Sequence, residues 1–406
     1  MISRRSMFQS SLASVVCLAS SFRAGRAAAT NAPGITDNEI KIGQTMAYSG
    51  PASAYGLIGR SEAAYFQMVN ENGGVNGRKI NFISLDDGYS APKTVEQTRR
   101  LVEQDGVAFI FGSFGGFTNL AIRQYLNDNK VPHLFLATAA DLINDPAHYP
   151  WTIGLNAAIA TEAHIYAKYI LATKPSAKIG VLYQNDALGK AFVTGAREGV
   201  GVINAAMIVK EVSYEVSDPT IDSQIISLQA SGADTLIIGA TARAAAQAIR
   251  KTSDLGWSVE RFLFNGASSV VGTLRPAGLE KSKGVVTATF GKDPNDPRWK
   301  DDPGIKEWQD FAVKRLAAKD FKDVIGLYGY SAAVLIAQVL EQCGDDLSRD
   351  NIMRQALNIK DFVSAGALPG ATLNTSPTNY FPIRQLQLSR FNGDSWELFG
   401  GLLNDE

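Results

Sequence analysis

The chain has 406 residues, 45% of them hydrophobic and 19% charged, with a formal net charge of −1. That composition excludes a disordered chain and leaves length for two or three globular cores. The near-neutral balance, with no basic cluster, excludes nucleic acid as the partner, and two cysteines, Cys17 and Cys343, exclude a disulfide scaffold.

Residues 1–29 read as a signal peptide. A basic start (Arg4, Arg5) precedes an apolar stretch from Met7 to Phe22, and Ala27-Ala28-Ala29 fits a small-x-small cleavage site. The apolar run falls short of the ~18 residues of a membrane span. Arg4-Arg5 also fits a twin-arginine signal. Val16 is larger than the residue expected before a lipid-attachment cysteine, so Cys17 does not predict a lipoprotein. No later stretch reads as long and apolar enough to span a bilayer. The mature chain is expected to be soluble, outside the cytoplasm, and more acidic than the whole, because Arg4, Arg5, Arg23 and Arg26 leave with the leader. Cys343 then stands alone and reads as a small buried side chain. His133, His148 and His164 do not cluster with cysteines or carboxylates, so no metal is expected, and no cofactor either.

Alternation from Thr36 predicts a strand to about Ala47, then a turn through Gly50-Pro51 and Tyr55-Gly56. A helix follows over 57–71, stopped by Asn72-Gly73-Gly74. Residues 79–86 read as strand, 92–104 as helix, and 107–112 as a short buried strand. Gly112-Ser-Phe-Gly-Gly-Phe-Thr118 opens a helix running to about Asn129, and 131–136 is strand again. Short apolar strands between helices imply a parallel sheet covered on both faces. Tyr149 to Asn156 reads as a crossing segment. The rhythm restarts with strands at 178–183, 206–214, 235–239 and 261–265, and helices at 187–199, 219–232 and 243–255. A second doubly wound unit is the natural reading. Val285 to Phe290 reads as another crossing, helices resume at 304–316 and 330–342, and the tail from Ile383 is hairpin material.

Three strand ends carry candidate chemistry. Gly115, Gly116, Phe117 and Thr118 lie at a strand-to-helix junction. Glycine lets a ligand reach the backbone, and a helix start offers free N–H groups and a positive dipole end, which suits a carboxylate. The alternative is a tight turn with Thr118 as a plain cap. Thr138, Ala139 and Ala140 follow the next strand, where Thr138 either donates to the same anion or caps the turn before Asp141. Tyr183 and Asp186 end the first strand of the second unit, and Asp186 either reaches the cleft or caps the helix at Ala187. Tyr48 and Tyr55 flank the first turn as candidate walls. A dinucleotide-binding glycine fingerprint, a phosphate loop and a nucleophile elbow are all absent. Asp86-Asp87 reads as a solvated loop, and nothing assembles a nucleophile, base and oxyanion site. The chain is read as a binder and not an enzyme.

From Ile40 to about Gly400 the sequence resembles the leucine/isoleucine/valine-binding proteins of bacterial ABC importers. The resemblance is carried by Ile40-Lys-Ile-Gly, Ser49-Gly-Pro, Tyr55-Gly, Glu71-Asn-Gly-Gly-Val-Asn-Gly-Arg and Asp86-Asp87. The Gly112–Ala121 loop, Tyr183-Gln-Asn-Asp with Gly189, and Tyr330-Ser-Ala-Ala complete it. Their order along the chain makes the match specific. It implies the type I periplasmic binding fold, an α/β architecture of two Rossmann-like lobes joined by a three-strand hinge. Lobe 1 is expected over 36–155 plus 290–363, and lobe 2 over 156–289 plus 364–406. It also implies a monomer in the periplasm, partnered by the permease of an ABC importer, closing on a small carboxylate solute. The carboxylate would be held at Gly115 to Thr118 and Thr138 to Ala140, with Tyr55 as pocket wall.

Departures from the family pattern bear on the solute. Ala140 stands where amino-acid binders carry a hydroxyl residue, Gly266 where they carry the glutamate for the ligand ammonium, and Ala240-Thr-Ala where an aromatic wall is expected. An ammonium without its carboxylate is a poorly compensated buried charge. The expected solute is thus an amino acid of the branched-chain kind or an aromatic or other organic acid. The rival reading is a module that presents its solute to a membrane receptor.

Overall fold

The computed structural model describes residues 32–318 and 320–404. The signal-peptide reading of residues 1–29 lies outside them. Two sheets organise the described chain. The first holds β1 (Glu39–Met46), β2 (Lys79–Asp86), β3 (Phe109–Phe111), β4 (His133–Leu136) and β5 (Thr152–Gly154), ordered β2-β1-β3-β4-β5 and parallel throughout. Helices α1 (Gly56–Glu71), α2 (Ala91–Arg99) and α3 (Gly116–Asp128) connect its strands. β3 and β4 are buried along their whole length, as a sheet covered on both faces requires.

The second sheet holds β6 (Ile179–Gln184), β7 (Ile208–Tyr214), β8 (Thr235–Gly239), β9 (Glu260–Leu263), β10 (Val286–Thr289), β11 (Gln385–Phe391) and β12 (Trp396–Asn404). Their order is β12-β11-β10-β9-β8-β6-β7, parallel from β7 to β10 and antiparallel at the terminal hairpin. With it lie α4 (Ile159–Thr173), α5 (Ala187–Val200), α6 (Asp222–Ala230), α7 (Ala242–Asp254) and the short α8 (Arg275–Ala277) and α9 (Leu279–Ser282).

The chain then returns to the first lobe. Helices α10 (Pro303–Arg315) and α11 (Val324–Cys343) pack on α1 through Trp308, Phe311, Tyr330 and Tyr65. α12 (Arg349–Ala356) follows. α1 and α11 approach closely because Gly329 lies on the backbone of Ile58, where a Cβ would fall 2.5 Å from the carbonyl oxygen. The chain thus passes between the sheets three times, after β5, after β10 and after α12. The last two passes pair at an isolated antiparallel bridge, Gly291 with Ala367. Tyr380 and Phe381, on the third pass, still lie against the first lobe beside Asn144, Pro150 and Ile143.

Several expectations change. Val285 to Phe290 is not only a crossing, because β10 is an inner strand of the second sheet. α11 starts six residues before the expected helix at 330, where Asp323 caps it by accepting from Ile325 N–H. It is also long and apolar enough to cross a bilayer, contrary to the sequence reading, yet most of it is buried in the protein. α4 and α12 were not expected at all. Cys343 is buried on α11, and burial pushes its thiol up to about 12.

Candidate functional site

Strand ends and helix starts of both lobes face one another across a cleft. The helix starts there share a feature. α5, α10, α11 and α12 begin with a side-chain cap from Asp186, Asp302, Asp323 and Ser348, whereas α1, α2 and α6 do not. α3, α4 and α7 begin at Gly115, Ala158 and Thr241 with none. Two of the three are capped from the opposite lobe. Tyr55 Oη accepts from Ala242 N–H at 3.1 Å, and the Asp141 carboxylate accepts from Ala160 N–H at 3.3 Å. Tyr89 Oη accepts from Gln184 across the same gap at 3.4 Å, and Ser269 donates to Asp323 at 2.9 Å. These contacts define a closed arrangement of the lobes.

Of these three, α3 is the one whose start stays open. Gly115 has φ of 101°, and its N–H bonds to Ala137 while its carbonyl receives Asn119 N–H. The N–H groups of Gly116, Phe117 and Thr118 meet no acceptor. The loop is braced from behind. Asn119 Nδ2 donates to the carbonyls of Ser113 and Gly115 at 2.9 and 2.6 Å, and its Oδ1 lies 3.0 Å from His133 Nε2. Burial lowers the His133 imidazole to about 3, so the ring is neutral. It serves Asn119 as a donor through Nε2, leaving Nδ1 without a partner.

The open start faces a cavity between the lobes, with an empty volume of about 1120 Å³ including its mouth. Tyr55, Gly115, Gly116, Thr138 and Ala139 line it, all from the sequence reading. Tyr55 stacks on Phe114 at 4.3 Å, and Tyr89 packs on Phe114 and Phe117. Thr138 Oγ1 accepts from Ala140 N–H at 3.2 Å, which leaves its proton for a ligand. The second lobe contributes Glu162, Thr241, Phe264 and Asn265, and the crossings contribute Asn156 and Lys292.

The other candidates lie apart from the cavity wall. Thr118 is buried, with its hydroxyl on the Phe114 carbonyl at 2.7 Å, so only its N–H serves the loop. Phe117 packs edge-on to Tyr89. Ala140 is fully buried behind Gly116. Tyr183 is half-buried and packs against the second lobe's core, with Arg197 as charged neighbour. Asp186 caps α5 through Gly189 N–H at 3.2 Å and accepts from Gln184 at 2.6 Å. Gly266 does line the cavity, but a side chain there meets the Phe264 ring at 2.4 Å, so the position is filled by a neighbour.

Sequence reasoning missed Glu162, the one acid on the cavity wall. It stands in the first turn of α4 and is 5% exposed. Oε1 accepts from Asn265 N–H at 2.7 Å and lies 2.5 Å from Tyr166 Oη. Oε2 makes no hydrogen bond. Burial pushes the carboxyl up to about 8. Lys292, the other charged residue on the wall, is neutralised by Asp302 at 2.7 Å. Tyr328 and Asn156 also line the cavity and lie side by side.

Two α/β lobes with a cleft between their strand ends form an architecture able to enclose a solute. A family model described as periplasmic binding protein matches residues 39–395, and the chain belongs to that family. It is similar to a Leu/Ile/Val-binding protein homolog 1 of Brucella abortus, 25% identical over 317 residues, which are 76% of this chain and 80% of that one. Among solved structures it is similar to a branched-chain amino acid ABC transporter protein of Thermus thermophilus with bound valine. That match has a TM-score of 0.81 at 16% identity, covering 91% of this chain and 97% of the other. A solute-binding protein of Rhodopseudomonas palustris in complex with benzoate matches at TM-score 0.76 and 19% identity, covering 91% and 98%.

Proposed function

We propose that this chain captures a small carboxylate with an apolar body, in the periplasm, and delivers it to the permease of an ABC importer. One observation carries the reading. The uncapped first turn of α3, with the Thr138 hydroxyl beside it, opens into a largely apolar cavity closed by both lobes. Free N–H groups at a helix start hold an anion, and the aromatic wall receives the rest of the solute. The relatives named for leucine, isoleucine and valine and the neighbours holding valine or benzoate are consistent with such a solute. The three passes between the sheets serve as the hinge. The solute stabilises the closed form by touching both lobes, and opening at the permease releases it unchanged.

Thermal unfolding of the exported chain with benzoate, octanoate and leucine tests this. A solute at about a hundred times its Kd adds roughly 2.7 kcal/mol of stability. A shift with one of these acids, lost when its carboxylate is replaced by an amide, is the expected result. No shift with any carboxylate would sink the reading.

A further inference from the structure

We propose that Glu162 is carried as a neutral acid on the cavity wall and thereby selects a carboxylate solute that has no α-ammonium group. The selection rests on the carboxylate reading above; the protonation of Glu162 does not. Hydrogen bonding around Tyr166 requires the extra proton. Tyr166 Oη lies 2.7 Å from the Leu263 carbonyl oxygen and 2.5 Å from Glu162 Oε1. A phenol has one proton and a carbonyl none, so both contacts are hydrogen bonds only if Tyr166 donates to Leu263 and the Glu162 carboxyl supplies a second proton. Ala288 N–H donates to the same Oη at 2.9 Å. The Glu162 contact is then a bond only if the carboxyl donates. Its Oε1 retains a lone pair for Asn265 N–H. An ionised Glu162 would claim the tyrosine proton and leave two oxygen lone pairs facing each other at Leu263.

Asn265 N–H and the first turn of α4 favour ionisation, but no cationic side chain stands beside the carboxyl and burial outweighs them. On its own helix the neighbours are Tyr166 and the start of α4, where Asp141 already occupies Ala160 N–H. From β9 and the loop after it come the Leu263 carbonyl and Asn265 N–H. From β10 comes the Thr287 hydroxyl, which donates to Leu263 at 2.9 Å. Lys292 is committed to Asp302. Burial favours the protonated form for the same reason. Oε2 is then a carbonyl-like acceptor facing the cavity, suited to a hydroxyl or a neutral N–H. An ammonium placed there has no standing counter-charge, since Phe264 fills the side-chain space at Gly266. It must first expel the Glu162 proton.

Infrared difference spectroscopy of wild type against Glu162→Gln reads the proton directly, without any solute. A protonated-carboxyl band in the wild type at neutral pH, absent from the variant and titrating near about 8, is expected. Its absence overturns the proposal. Calorimetry on the wild type alone, in two buffers of different ionisation heat, gives a second reading should the variant misfold. Benzoate binding is expected to exchange no proton. Leucine binding is expected to release one, with affinity falling about tenfold per pH unit below that midpoint. Leucine bound as tightly as benzoate at neutral pH, with no proton released, overturns the selection. If neither acid binds while the band is present, the carboxylate reading fails and the neutral Glu162 stands.

Discussion

At Thr138 and Gly115 the site is built from single atoms. Thr138→Val keeps the shape and removes the hydroxyl proton offered to the solute. A hydrogen bond to a charged group is worth about 1.5–3 kcal/mol, so affinity for the bound acid should fall about tenfold or more, while loss of the acceptor for Ala140 N–H lowers the unfolding temperature as well. Titration calorimetry checks it, and unchanged affinity removes Thr138 from the site. Gly115→Ala should instead cost folding. Its φ of 101° disfavours a side chain, and the new Cβ would meet Thr118 Oγ1 at 2.5 Å and the Tyr89 ring at 2.6 Å. Gly115 and Thr138, which line the cavity, could be singled out because glycine-rich turns and hydroxyls after apolar strands are local signals. Asp186 and Tyr183 carry equally local signals, yet Asp186 serves as a cap and Tyr183 packs half-buried against the core. A cap and a ligand contact use the same residue types, and only the third dimension separates them.

α4 shows why part of the site could not be read. Its sequence is alanine-rich, lacks a capping residue and follows directly on a crossing, so no start signal marks it. Its cap, Asp141, lies in the other lobe. Glu162 therefore had no element to be placed on. The raised carboxyl also gives α4 a pH signature. Glu162 holds its proton up to about 8 in the folded chain, against an ordinary value of 4.5. The folded state binds one more proton between these values, so this contribution to stability is full below the lower value and is lost as pH rises through the upper one. Thermal unfolding across that window should show a decline that Glu162→Gln flattens. By contrast β2 and β8 have the bounds their alternation and apolar runs predict, because a strand inside a sheet is fixed by its own pattern.

For the whole molecule, closure rests on few polar contacts between lobes. Tyr55→Phe keeps the ring stacked on Phe114 and removes the acceptor for Ala242 N–H. One such bond is worth about 1 kcal/mol, so solute affinity should fall about fivefold while the open form's stability is unchanged. Small-angle scattering should show the radius of gyration shrinking on addition of the bound acid, with the variant needing more solute for the same change. An unchanged scattering curve at saturating solute would count against hinge closure. The two-lobe plan was legible because βαβ rhythm breaks and restarts at a recognisable point. The return of the chain was less so, since β11 and β12 join a sheet whose first strand lies some two hundred residues earlier.

That return has a consequence for how the protein is made. The second sheet has its β6 to β10 strands in hand long before the hairpin that covers the free edge of β10. While the ribosome is still adding residues 290–384, the growing chain carries an unfinished sheet with a row of unsatisfied backbone groups. It can reach its final form only once residues 385–404 have been added, and any copy that loses this hairpin afterwards exposes the same edge of β10.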